Sequence, residues 1–235
     1  MRELRIHGRG GQGSVIASKL LAVALFREGH WVQSFPAFGV ERRGAPVTAF
    51  LRLDDTPIRL RCEITEPDDL IVLDPTLIEA IDVTSGLKPG GTILINTERA
   101  PEDYPALLER FRVATVDAGG IAARHGLGTK TQPIVNTAIV GAFAAVFDLI
   151  GLPSIEAAIQ DEVPAKREAN YEAARVAYYS TRRASPRPLQ SGRVKTLPTP
   201  AQATSPSTVR SRRGKRWTQE SSSPFSSATQ TLRSS

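Results

Sequence analysis

Seven residues near the amino end, His7-Gly8-Arg9-Gly10-Gly11-Gln12-Gly13, constrain the fold more than any other stretch of the chain. Glycine between a strand and a helix permits positive φ and close backbone approach. Leu4 and Ile6 precede the loop in a short strand pattern that begins near Arg2. Ser14 to Arg27 follows as a helix, with Ile16, Leu20 and Val23 on one face at spacings of four and three. Ser14 is its expected N-cap and Gly29 its stop. Trp31 to Phe35 is a second strand, so the chain opens as a βαβ unit, the signature of a parallel sheet covered by helices. Free N–H groups at such a loop, added to the helix N-terminus, favour an anion. A tight strand-to-helix turn needs the same glycines, and the loop alone leaves both readings open.

The next stretch departs from a plain βαβ repeat. Val47 to Leu53 and Ile58 to Cys62 are strand-like runs joined by Asp54-Asp55-Thr56-Pro57, which predicts an antiparallel hairpin. Leu70-Ile71-Val72-Leu73 is continuously apolar, as a buried parallel strand is. Pro75 opens a short helix to about Asp82, capped by Asp74. Pro89-Gly90-Gly91 turns into the strand Thr92 to Asn96; Glu102 to Arg110 reads as a helix and Arg112 to Val116 as a strand. Ile139, Val140, Phe143, Val146, Phe147 and Ile150 recur with helical period, and Gly151 ends that helix. Ser154 caps a short helix to about Asp161, and Ala165 to Tyr179 is a last, more polar helix. The expected fold is α/β: a Rossmann-like three-layer sandwich, mostly parallel, with one antiparallel hairpin.

The formal charge of +6 misleads about this domain. Residues 182–235 hold 11 Lys/Arg and a single acid, Glu220, whereas residues 1–181 carry 19 basic and 23 acidic side chains. The basic balance therefore belongs to the tail and is no argument that the domain binds nucleic acid. Ser, Thr and Pro fill 25 of the tail's 54 positions, too few apolar groups to offset chain entropy, so disorder is expected there. Arg210 to Arg216 with Trp217 is the only feature that suggests nucleic acid, and it lies in no recognisable reader fold. The expected division is a domain over 1–181 and a low-complexity basic tail over 182–235. One cysteine, Cys62, excludes an intrachain disulfide and an iron–sulfur cluster held by this chain, which takes about four thiolates. A thiol-poor chain with no membrane-length apolar run and no signal-peptide pattern is expected in the cytoplasm.

The loop does not satisfy the dinucleotide pattern. That pattern wants an acid at the end of the second strand for the ribose hydroxyls, and here the strand ends in Ser34-Phe35-Pro36. Gly128-Thr129-Lys130-Thr131 resembles a Walker ending only superficially, since no strand leads into it. A second candidate, Glu41-Arg42-Arg43, is bracketed by Gly39 and Gly44 after strand two. Paired arginines suit phosphate or carboxylate; a surface salt bridge within the loop is the alternative. Asp117-Ala118-Gly119-Gly120 and His125-Gly126-Leu127-Gly128 form a third glycine-rich region that follows a strand; it either lines the same carboxyl-end crevice or, for most of its residues, serves as turns and caps. No nucleophile elbow appears, the three histidines (His7, His30, His125) form no metal pair, and Cys62 reads as a packed strand residue. No thiamine diphosphate motif is present. No residue is assigned to bond-making catalysis or to a metal.

The combination of His7 to Gly13, Phe35-Pro36 and Phe38-Gly39-Val40-Glu41-Arg42-Arg43-Gly44-Ala45-Pro46-Val47 resembles the gamma subunit of pyruvate:ferredoxin oxidoreductase and related 2-oxoacid:ferredoxin oxidoreductases. Ile58-Arg59-Leu60-Arg61, Asp74-Pro75-Thr76-Leu77, Asn96-Thr97-Glu98, Asn136-Thr137, Lys166 and Asn170 extend the resemblance over about residues 1–180. It implies a subunit of an enzyme that decarboxylates a 2-oxoacid, with pyruvate expected, to acyl-coenzyme A and passes electrons to ferredoxin. Thiamine diphosphate and the iron–sulfur clusters would sit on partner chains. The gamma chain would help to hold coenzyme A, which assigns Gly8, Arg9, Gly10, Gly11, Gln12 and Gly13, with Glu41, Arg42 and Arg43, to cofactor or subunit contact. Some gamma chains continue into a cysteine-rich ferredoxin-like region; the tail here has no cysteine and is not that region. The alternative is a stand-alone nucleotide-binding or regulatory Rossmann-like module.

Overall fold

The computed structural model describes residues 1–37, 44–129 and 131–186. The candidate residues Glu41, Arg42 and Arg43, together with Lys130 and the tail beyond residue 186, lie outside the described residues.

The strands are β1 (Arg2–Arg9), β2 (Trp31–Pro36), β3 (Pro46–Asp54), β4 (Asp69–Val72), β5 (Thr92–Asn96), β6 (Arg112–Val116) and β7 (Arg182–Ala184). They form one sheet in the order β2-β3-β1-β4-β5-β6-β7. The ladders β1/β4, β4/β5 and β5/β6 are parallel, while β3 runs antiparallel to both β1 and β2, and β7 to β6. Five of these seven strands therefore point the same way.

The antiparallel element differs from the expected hairpin. β3 pairs with β1 over eight residues on one edge and with β2 over six on the other. Both of its edges are occupied, so Ile58 to Cys62 does not pair with it, and the segment adopts no regular structure. That segment is tied down by the Gln33 Nε2 donor on the Leu60 carbonyl, 2.8 Å, and Arg59 to Glu63 are exposed. Cys62 is accordingly an exposed thiol and not a packed strand residue. The opening unit is also modified: β2 lies parallel in direction to β1, but β3 is inserted between them.

Helix α1 (Ser14–Arg27) spans the expected residues, but its cap is Gly13 in the left-handed conformation, and Ser14 is the buried first helical residue. Pro75 to Asp82 contributes only α2 (Leu77–Ala80). Glu102 to Arg110 is not one helix. Pro105 has no N–H to donate into a preceding turn, so a 3₁₀ turn over Pro101–Asp103 gives way to α3 (Pro105–Leu108). The glycine-rich run after Asp117 begins α4 (Ala118–Arg124), with the Asp117 side chain accepting from Gly120 N at 2.7 Å. α5 (Asn136–Phe147) ends three residues before Ile150, at Asp148 with φ 51°. α6 (Leu152–Glu162) is capped by Gly151; Ser154 instead donates to Glu28 Oε1 at 2.6 Å. α7 (Arg167–Ser180) precedes β7, so the described chain adds a sheet strand past residue 181.

Two cores flank the sheet. Leu4, Ile6, Leu51, Ile71 and Leu94 pack under α1, α4, α5, α6 and α7. Leu70, Val72, Ile93, Ile95 and Val113 pack on the other side under α2, α3 and Phe111. α5 is apolar on all sides because it is enclosed by sheet and helices, and Gly141 brings it against the backbone of Ala174 in α7. This scaffold places the β1–α1, β4–α2 and β5 loops together at the carboxyl ends of the parallel strands, where open α/β sheets bind ligands.

Candidate functional site

The glycine loop is built as a braced hollow. Gly8 is buried at the end of β1, where an added Cβ would stand 3.3 Å from both Leu73 and Ser14, so it permits close packing. Gly10 N donates to the Ala45 carbonyl at 2.9 Å and Gly44 N to the Gly10 carbonyl at 3.1 Å, which ties the loop to the start of β3. Gly11, at φ 96°, is exposed, and a Cβ there would meet nothing within 4 Å. Gly13, at φ 84°, lies against Asn136. Gly10, Gly11 and Gln12 line a 260 Å³ hollow with Asn96, Pro133 and Val135.

Arg9 and Gln12 are struts. Arg9 Nε donates to Asp74 Oδ2 at 3.0 Å, and its terminal nitrogens to the Gly44 carbonyl and Thr76 Oγ1. Gln12 Nε2 donates to the same Asp74 oxygen at 2.9 Å, while Gln12 Oε1 accepts from Arg9 N at 2.8 Å. Asp74 also accepts from Thr76 N and Thr76 Oγ1. Burial pushes the Asp74 carboxyl up, but hydrogen bonds from Thr76 and Gln12 and the Arg9 charge outweigh it, and the net shift is downward. The carboxylate is thus held ionised at the centre of the loop. Among the described residues, no acceptor engages the Gly11 or Gly13 N–H. These amides and the first turn of the 14-residue α1 give the hollow a positive backbone potential without a free cationic side chain from the loop.

Asn96 shapes the floor. Its Nδ2 donates to the Leu73 carbonyl at 2.9 Å and its Oδ1 accepts from Gly119 N at 3.2 Å, which joins the ends of β4 and β5 to α4. Beside the hollow, Asn136, Thr137, Lys166 and Asn170 converge from α5 and the start of α7. Thr137 Oγ1 donates to Asn170 Oδ1 at 2.9 Å, and Asn170 Nδ2 donates to the Lys166 carbonyl at 2.9 Å. Those bonds hold Lys166 at φ 53°, and its Nζ reaches the Gly126 carbonyl at 2.6 Å. Asp74 as the hub of the loop was hidden by its more ordinary role as a helix cap. Its signal was its place directly after the buried run Leu70 to Leu73.

His7 precedes the loop on β1 and is 6% exposed, and among the described residues neither ring nitrogen has a partner. Burial, and then the neighbouring Arg5 charge, lower its pKa to about 4. Since this lies below the unfolded value, protonation favours unfolding. The contribution to stability is complete above about pH 6.5 and declines as the pH falls toward 4. NMR titration of the ring is expected to show a midpoint near 4; a midpoint near 6.5 would show that the ring reaches solvent.

Among the described residues, no three His, Cys, Asp or Glu side chains converge to hold a metal ion, and no helix is long and apolar enough to cross a membrane. Residues 3–180 match the Pyruvate ferredoxin/flavodoxin oxidoreductase family. The pyruvate/ketoisovalerate oxidoreductases common subunit gamma of Thermococcus kodakarensis is 50% identical over 184 residues, which covers 77% of this chain and 97% of that protein. The crystal structure of pyruvate oxidoreductase subunit PORC from Thermotoga maritima superposes with a TM-score of 0.66 at 32% identity, over 78% of this chain and 98% of that one. A 2-oxoglutarate:ferredoxin oxidoreductase from Magnetococcus marinus, solved with 2-oxoglutarate, coenzyme A and succinyl-CoA bound, shares the fold at TM-score 0.61 and 19% identity, over 79% of this chain and 32% of that one. With its whole α/β domain matched and half of its aligned residues shared, the chain belongs to the pyruvate ferredoxin/flavodoxin oxidoreductase family.

Proposed function

We propose that this chain seats the phosphate groups of coenzyme A in the glycine-loop hollow, as the gamma-type subunit of a pyruvate or related 2-oxoacid:ferredoxin oxidoreductase. The subunit assignment is supported by the near-complete coverage of the gamma relative. The enzyme carries out oxidative decarboxylation of the 2-oxoacid to acyl-coenzyme A, with electrons leaving to ferredoxin. This chain alone does not: its one thiol, exposed Cys62, cannot supply a cluster that takes about four. Thiamine diphosphate and the clusters are therefore assigned to partner chains.

The observation that carries the reading is the open Gly11. Among the described residues nothing accepts from its amide or that of Gly13, the α1 dipole adds to them, and Asp74 fixes Arg9 and Gln12 beside them. A nucleotide's phosphates fit such a seat, and the missing acid after β2 removes the ribose contact that an NAD site wants. The hollow thus binds and orients; among the described residues, its lining holds no His, Cys, Asp, Glu or Lys side chain. Gly11→Asp tests it. A carboxylate there occupies open space and repels phosphate, and Asp tolerates positive φ better than most residues. In the assembled oxidoreductase, coenzyme A affinity measured by calorimetry is expected to fall about 10- to 100-fold, with thiamine and iron content unchanged. Unaltered affinity would remove the assignment, and a preference for NAD would favour the stand-alone nucleotide module.

A further inference from the structure

We propose that the amino-terminal end of the sheet carries a separate binding site, an arginine-rimmed cavity that takes a compact dianion: one phosphate group or a pair of neighbouring carboxylates. It lies at the opposite end of the parallel strands from the glycine loop and shares no lining residue with the hollow there, so it does not depend on the coenzyme A reading. The cavity has a volume of about 480 Å³, within the range of small-ligand sites.

Strand alternation and register assemble it. Arg2, Thr92 and Arg112 are the first residues of β1, β5 and β6. Leu4, Leu94 and Ala114, two positions further along the same strands, pack in the core on the α5 side, so the three first residues point to that side too. Thr92 stands opposite Arg112, and Arg183 on β7 stands opposite Ala114, which brings a third guanidinium to the row. Val146 and Phe147, at the end of α5, complete the lining.

Two of the arginines are aimed by the fold. Arg2 Nε donates to Asp69 Oδ2 at 2.7 Å, and its guanidinium carbon lies 5.2 Å from the centre of the Phe147 ring. Asp69 is 2% exposed and its other oxygen accepts from Thr92 N at 3.0 Å, so that carboxylate is committed to the wall. Arg183 Nη2 donates to the Ala145 carbonyl, where its charge offsets the negative end of the α5 dipole. Arg112 is exposed, and among the described residues its side chain has no hydrogen bond or ion pair; no acidic side chain lines the cavity. Three guanidinium charges set against the single Asp69 carboxylate leave two positive charges. A dianion matches that surplus, and arginine forks accommodate phosphate and carboxylate oxygens in pairs. The Thr92 hydroxyl, without a partner among the described residues, adds a donor on the same wall. A long polyanion is disfavoured, because residues 1–181 carry 19 basic and 23 acidic side chains and would repel it beyond the rim.

The test is an NMR titration of the arginine Nε–H signals of the full chain with sodium phosphate and with sodium succinate, at an ionic strength held constant with sodium chloride. The Arg2, Arg112 and Arg183 signals are expected to shift and saturate with one dissociation constant, while Arg175, paired with Glu172 on α7, stays still. Arg112→Gln should weaken the tighter probe about tenfold or more, and Arg112→Glu should abolish saturation; the position is exposed, so both variants fold. Tighter phosphate identifies a phosphate-bearing ligand, and tighter succinate a dicarboxylate. Shifts that fail to saturate, shifts that Arg175 shares, or an affinity unchanged in Arg112→Gln overturn the site. Loss of a partner chain from the assembled oxidoreductase carrying Arg112→Glu, seen by native mass spectrometry, also overturns it, because acidic side chains of that partner would then be the occupant. The titration is repeated in Gly11→Asp. Retained saturation there separates this cavity from the glycine-loop hollow, whatever becomes of the coenzyme A reading; its loss would place the anion at the loop and end the proposal.

Discussion

Gly141→Ala is expected to destabilise the chain by about 3 kcal/mol or more, a large part of the roughly 5–15 kcal/mol that holds a domain together. A Cβ at this position would stand 1.9 Å from the Ala174 carbonyl oxygen, 2.6 Å from its carbon and 2.7 Å from its Cα. None of these atoms belongs to a flexible side chain, so the only relief is separation of α5 from α7. That separation opens a seam in which Ala173, Ala174 and Ala177 are fully buried and their small size already sets the approach of the helices. It also pulls on Thr137 and Asn170, which bond across the same pair of helices. Urea unfolding of the full chain followed by circular dichroism measures the effect. Gly29→Ala is the control: at φ 93° with nothing within 4 Å, it carries only the conformational cost, about 1–2 kcal/mol. Equal losses in the two variants would mean that α5 and α7 do not pack in close backbone contact.

Asp74→Ala is expected to cost about 2–4 kcal/mol and to disorder the glycine-loop hollow. The substitution removes the acceptor of four hydrogen bonds, from Arg9 Nε, Gln12 Nε2, Thr76 N and Thr76 Oγ1. Arg9 then has a part-buried charge with no carboxylate, and Gln12 loses the bond that holds its Oε1 under the Arg9 amide. Coenzyme A affinity in the assembled enzyme should fall with stability, unlike in Gly11→Asp, where affinity falls alone. The pH dependence supplies a second readout. The folded pKa of Asp74 is depressed, so its contribution is present above the unfolded carboxylate value, about 3.9, and is lost as the pH falls through the folded value. Asp74→Ala should therefore flatten the acid limb of the stability profile. An unaltered limb together with wild-type stability would show that the loop does not depend on this carboxylate.

Much of the site is legible in the chain's own residue order. Four glycines between an apolar strand and an amphipathic helix identify a loop at a sheet edge, because local backbone freedom and local periodicity are written in consecutive residues. The β4 run and the Thr92 to Asn96 strand are legible for the same reason. What is not legible depends on who occupies an edge. Val47 to Leu53 and Ile58 to Cys62 look equally strand-like, yet only the former pairs, since β1 and β2 saturate its two sides. The same limit applies to Arg9 and Gln12, whose shared partner is an aspartate 65 and 62 positions away in the chain.

From its sequence, this chain's α/β class, its glycine loop and its family resemblance could all be read, since each rests on residues close together in the chain or on motifs in a fixed order. The tertiary structure alone decided that β3 enters between β1 and β2, that Asp74 pairs with Arg9, and that Asn136 lies against Gly13 while Lys166 and Asn170 bond to each other. Those outcomes are set by long-range pairing and burial. Hydrogen-bond partners there are chosen by which distant segments the packed cores bring within reach, and no local pattern encodes that choice.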